Sequence, residues 1–227
     1  MSGHLWATRL AVAVCGVLLA ACVGFAASWS AISPRPDAAP ARHAVLAAAS
    51  SSMFRDDFER DPVGAVPAGW TVVDGVWDGV VADGSHVVRH GVGPRSYGHL
   101  VTGSPAWTDY AVSARLRPGS LSTGFAGVAA RYQGRGDYYA CGVYYGTAVR
   151  LWRVRAGTMA LLDARTADVA ADRFHDVRLV VRGSRLSCVF DQTVVLTAVD
   201  ASFVAGRIAL VAGADEAAEF DDVVAGT

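Results

Sequence analysis

From Phe54 onward the chain is written in short runs whose apolar residues recur at every second position. YAVSARLRP (110–118), VRLWRVRAG (149–157), HDVRLVVRG (175–183) and GRIALVAG (206–213) are examples. Successive side chains of an extended strand point to opposite faces, so this period marks strands with one face turned to a core. Gly, Asp and Pro interrupt the runs roughly every 8–12 residues, the spacing of turns in an all-β sandwich or barrel. No segment past residue 60 keeps a helical period over three turns. One domain of about 170 residues is long enough to bury a core of its own.

The segment before it is different. Residues 1–22, MSGHLWATRLAVAVCGVLLAAC, place Arg9 ahead of an apolar run and small residues ahead of Cys22. That is the layout of a secretory signal peptide with an apolar helix. Leu19-Ala20-Ala21-Cys22 also resembles the lipobox of bacterial lipoproteins, in which the cysteine thiol accepts the lipid. An ordinary cleaved signal peptide or a spanning helix over Leu10–Ala27 fits the same stretch. All three readings place the rest of the chain outside the cytoplasm. Residues 23–53 are rich in Ala, Ser and Pro and read as a disordered linker. The net charge of −1 gives no electrostatic footprint for nucleic acid. All 20 basic residues are arginine, which matches a compositional bias together with the Ala, Gly and Val content.

Val177, Leu179 and Val181 share one strand face, and Leu186, Cys188 and Phe190 share one face of the next strand. Gly183-Ser184 joins the two as a hairpin. Tyr139, Cys141, Val143 and Tyr145 form a similar row. Cys141 and Cys188 lie mid-strand on apolar faces, and either a disulfide or two buried thiols explains them. Arg135-Gly136-Asp137 spells an adhesion tripeptide but falls where a hairpin turn is expected.

The order of signposts carries a resemblance. DDF (56–58), GW (69–70), GVW (75–77) and DG (83–84) are followed by WTDYAVSARLR, GVAARY, DYYACGVYYG and RLWRV. FHDVRLVVRGSRLSCVFDQTVV, GRIALVAG and EFDDVV close the series. In this order they resemble the concanavalin A-like lectin/glucanase superfamily, most of all its laminin-G-like and 3-keto-disaccharide-hydrolase-type domains. The resemblance covers nearly all of 54–225 and implies a jelly-roll sandwich of two curved antiparallel sheets. The superfamily includes lectins, hydrolases, lyases and adhesion modules, so it specifies fold more than function.

The residues narrow the choice. Retaining glucanases of this fold need two carboxyls on one strand face, about 5–5.5 Å apart. The chain's glutamates are Glu59, Glu216 and Glu219, and none reproduces that pattern. No nucleophile elbow and no metal-spaced histidine cluster occurs. In the resembled domains a calcium ion often sits beside the paired first and last strands. That implies Asp221 as a ligand, with Asp57 or Asp56 from the first strand. The plainer reading is that Glu219, Asp221 and Asp222 blunt an edge strand. Arg131 resembles an arginine of the keto-sugar-hydrolase-like group, and alternation puts Tyr138 and Tyr144 on the face away from Cys141. Together with Trp152 they form the candidate ligand face, although Tyr and Trp also fill sandwich cores. Trp70, Trp77 and Trp107 read as core. The reading that results is an exported, membrane-tethered module that binds a glycan or surface polymer without chemistry. A glycoside hydrolase or lyase and a protein-interaction module are the alternatives.

Overall fold

The structure, a computed structural model, describes residues 51–227 apart from 92–96, 120–123, 145, 172 and 214–216. The leader, Cys22, the linker up to residue 50, Tyr145 and Glu216 lie outside the described residues. Strands are numbered in chain order. One sheet runs β13 (Val194–Val199), β12 (Arg185–Phe190), β11 (His175–Arg182), β6 (Tyr110–Arg117), β15 (Glu219–Gly226), β4 (Ser85–Gly91) and β3 (Val76–Ala82), and β1 (Ser52–Asp56) pairs β15 as its eighth strand. The second runs β10 (Thr158–Thr166), β9 (Ala148–Arg155), β8 (Asp137–Tyr144), β7 (Phe125–Gly134), β14 (Arg207–Ala212), β5 (Gly98–Thr102) and β2 (Thr71–Asp74). Neighbouring strands are antiparallel throughout the described residues.

Alternation produces the core. Val177, Leu179 and Val181 of β11 face inward with Leu186, Cys188 and Phe190 of β12, against Tyr139, Cys141 and Val143 of β8. Fully hiding a side chain of the size of Leu179 contributes about 1.5–3 kcal/mol. Cys141 and Cys188, from different sheets, are joined by a disulfide. Trp70 and Trp77 are buried in this core, and Trp107 packs against its rim. Arg135 sits in the β7–β8 turn and pairs with Asp74, while Asp137 Oδ1 accepts the Ala156 amide, so the tripeptide is turn structure.

The acidic tail is not an edge. β15 lies between β6 on one side and β4 and β1 on the other, with Phe220 opposite Val88 and Val223 opposite Asp56. A bulge at Asp221–Asp222, where Asp222 takes φ 47°, shifts the alternation by one residue. Phe220 and Val223 therefore both face the core, whereas unbroken alternation separates them.

Candidate functional site

Strands β5, β7, β8 and β14 are hidden on both faces, unlike the half-solvated strands usual in an antiparallel sheet. Their inward residues belong to the sandwich core. Their outward residues form a second apolar cluster with residues of β9, including Phe125, Tyr132, Tyr138, Trp152 and Val154. Its floor is made of the smallest side chains. Gly127 faces Gly142, and Ala129 faces both Ala140 and Ala209. A Cβ at Gly127 or Gly142 would collide with the backbone of the opposite strand.

Rings lie across that floor. Tyr138 of β8 hydrogen-bonds His99 Nε2 of β5 at 3.3 Å, although β7 and β14 stand between these strands. Tyr132 and Tyr138 stack at 5.5 Å, and Phe125 meets Trp152 edge-on at 5.5 Å. Tyr97, 56% exposed, stacks on Phe125, and the Arg150 guanidinium sits 3.6 Å above half-buried Tyr144. Cation–π contact of this kind contributes about 0.5–2 kcal/mol.

Of the four residues assigned to a ligand face, three come together here. Tyr138 and Trp152, only 3% and 1% exposed, are interior members of the layer, and Tyr144 lies at its accessible margin. Arg131 lies elsewhere. A β-bulge in β7 puts it at φ 49° and turns its side chain away from the face. Its guanidinium donates to the carbonyls of Thr108 (3.0 Å), Gly183 (2.8 Å) and Phe203 (2.7 Å) and to Asp109. Four of its five N–H donors are used inside the protein, so the side chain fastens loops. Tyr97 was not singled out from the sequence. A lone aromatic in the turn-forming run GVGPRSYG is the signal that points to it.

The electrostatics leave little acid–base capacity. Burial pulls the His99 pKa down to about 4, so the ring is neutral near pH 7, with Asp74 opposing the shift from 3.9 Å. Burial pushes the Tyr132 phenol up to about 12 and the Tyr138 phenol up as well. Asp74, the carboxylate beside this layer among the described residues, is engaged by Arg135 at 3.1 Å. Glycosidic cleavage needs two carboxyls flanking one bond. What the layer offers is hydrogen-bond donors. Arg150 Nε and Trp152 Nε1, two positions apart on one face of β9, are hidden and have no acceptor. Tyr132 OH and His99 Nδ1 are likewise hidden without a hydrogen bond.

Asp57 is exposed and accepts the Glu59 amide, and Asp56 holds Trp70 Nε1 at 2.7 Å. Ser85 lies between Glu59 and Asp221. Ser85 Oγ donates to Glu59 Oε1 at 2.6 Å and lies 3.4 Å from Asp221 Oδ2. Ser85 lowers the Glu59 pKa, whereas burial raises that of Asp221, whose nearest cation is Arg115 at 3.3 Å. Among the described residues no three His, Cys, Asp or Glu gather as a metal cluster. Two carboxylates and a hydroxyl are oxygen donors of the kind calcium takes, and carbonyls or water would have to complete its six to eight ligands.

Two stacked antiparallel sheets with this strand order make the molecule a jelly-roll sandwich. Neither a known family nor a curated protein matches the sequence. Solved structures match the fold. Carbohydrate-binding module CBM66 from Bacillus subtilis is 17% identical with TM-score 0.59, over 70% of this chain and 96% of that one. The GH43 protein BlXynB from Bacillus licheniformis is 18% identical with TM-score 0.58, over 76% of this chain but 39% of that one. The exoplasmic/lumenal domain of VIP36, solved in its Ca2+-bound form, is 11% identical with TM-score 0.53, over 73% and 87%.

Proposed function

We propose that this protein is an exported glycan-binding module, tethered to a membrane and without catalysis of its own. One observation carries the reading. Two obligate donors, Arg150 Nε and Trp152 Nε1, are hidden without an acceptor, Arg150 lying on the half-buried Tyr144 ring and Trp152 reaching exposed Tyr97 through Phe125. A buried donor left unpaired costs about 1–3 kcal/mol, and a sugar hydroxyl or ring oxygen supplies the missing acceptor. The rings offer the apolar faces on which pyranose C–H groups stack. The fold's likeness to a carbohydrate-binding module supports the same conclusion.

Binding of the full chain to an array of neutral polysaccharides is the test. Arg150→Met removes a charged donor and is expected to weaken binding about 10–100-fold. Tyr97→Ala is expected to weaken it about tenfold, with the melting temperature of both variants near wild type. An array without a neutral ligand, or wild-type affinity in both variants, refutes the proposal.

Export and tethering rest on the leader. Acylation at Cys22 predicts that Cys22→Ala releases the protein or leaves its leader uncut. Wild-type membrane retention with the leader removed would exclude it.

A structural calcium ion at Asp221, beside the first strand and the Asp57 that follows it, belongs to the same proposal, since a cation would offset the desolvated Asp221 carboxylate. An ion present at about 100 times its Kd adds about 2.7 kcal/mol, or roughly 5–10 °C. Chelator is expected to lower the wild-type melting temperature by that amount and to leave Asp221→Asn unchanged. Equal responses dismiss the ion.

A further inference from the structure

The outer face of the eight-stranded sheet carries a different surface. Residues that alternate with the core positions of β11, β12 and β13 face outward there. They line a groove of Val180, Arg182, Arg185, Ser187, Thr197 and Val199. Strand register arranges them in rows. Val180, Ser187 and Thr197 lie side by side, and Arg182, Arg185 and Val199 form the adjacent row. Arg178, exposed, stands two residues before Val180 on the same face, its Cα about 13 Å from that of Arg182, and lines the adjoining hollow with Asp176 and Asp222.

Charge balance distinguishes this groove from the rest of its sheet. Arg55, Arg89, Arg115 and Arg117 each pair with a carboxylate, from Asp222, Asp78, Asp221 and Glu219 respectively. Arg178, Arg182 and Arg185 have no ion-pair partner among the described residues, and no acid lines the groove. Arg182 and Arg185 are moreover direct cross-strand partners next to the Gly183-Ser184 turn. Like charges placed opposite one another disfavour the pairing that holds them, and an anion between them reverses that effect. Guanidinium forks match the two oxygens of a carboxylate, and Ser187 and Thr197 offer hydroxyls between them.

We propose that this groove is a second binding site, separate from the aromatic layer, and that it takes an acidic polysaccharide whose uronate carboxylates dock on Arg182 and Arg185. The spacing favours that occupant. A polyuronate carries its charges singly, separated by neutral rings that fit the Val180 and Val199 strip. A polyphosphate or nucleic acid presents denser charge than three arginines on a chain of net charge −1 attract.

Calorimetric titration of the full chain with polygalacturonate tests the site, with methyl-esterified polygalacturonate and inorganic polyphosphate as controls. Polygalacturonate is expected to bind at low salt and to weaken about tenfold at high salt, while the esterified polymer shows no salt-dependent binding. The double variant Arg182→Gln/Arg185→Gln is expected to lose at least about tenfold in affinity. Its melting temperature should equal or exceed wild type, because the variant removes an opposed pair of like charges. Tyr97→Ala should bind polygalacturonate as wild type does, which separates this site from the neutral-glycan reading. Undiminished affinity in the double variant, no binding at low salt, or polyphosphate binding at least as tightly as polygalacturonate overturns the proposal.

Discussion

Arg131→Met is expected to lower the melting temperature by roughly 10 °C, while neutral-glycan affinity measured on folded protein stays unchanged. The reason lies in what the guanidinium holds. It joins the approach to β6 at Thr108, the β11–β12 turn at Gly183 and the loop before β14 at Phe203, three segments remote in sequence. The backbone around it is committed as well. Arg131 N donates to Tyr110 OH at 2.6 Å, and the single proton of that hydroxyl is shared between the carbonyls of Gly206 and Arg207. Methionine fills similar volume but leaves three carbonyls without their donor. At about 1–3 kcal/mol for each buried polar group, a total near 4 kcal/mol follows after relaxation, and a domain of this size loses about 2–4 °C per kcal/mol. Arg131→Lys keeps the charge but cannot span three carbonyls with one ammonium, so it should fall between the two. Thermal melting followed by circular dichroism decides. An unshifted melting temperature accompanied by lost glycan affinity would return Arg131 to a ligand role and remove this account.

The same residue shows where the sequence stops being legible. Period-two alternation located the strands, the core face of β11 and β12 and the placement of Tyr138 and Tyr144 away from Cys141, because alternation is a local property of extended backbone. It failed at Arg131 and at Asp221–Asp222. Both are bulges at which a non-glycine residue takes positive φ, and neither carries the glycine that usually announces such a conformation. The tail was also misread as an edge strand. Whether β15 is central depends on β6, β4 and β1 meeting it from distant parts of the chain, and no local pattern encodes that. The aromatic layer was legible in composition but not in exposure. Tyr138 and Trp152 look like a platform in sequence, yet the Gly127–Gly142 and Ala129–Ala140 floor lets the rings lie down and hide one another. In DDFER, Phe58 at φ 54° turns the chain after β1, again without a glycine.

Replacing Cys141 and Cys188 together by alanine is expected to cost more than about 4 kcal/mol and at least roughly 8–16 °C. The bond joins β8 to β12, one strand from each sheet, across 47 residues of chain. Constraint of the unfolded chain scales with that separation, and loop closure alone supplies about 4 kcal/mol for a loop of this length. Loss of packing adds to it, since both sulfurs are fully buried in the core. Wild type melted in reductant separates the two contributions. It keeps the sulfur volume and loses only the cross-link, so it should recover a small part of the alanine variant's deficit and no more. Protein made in a reducing compartment should melt at the same lowered temperature and rise after oxidation. If wild type melts identically with and without reductant under conditions where unfolding exposes the sulfurs, the two sheets are held by packing alone and the cross-link contributes nothing.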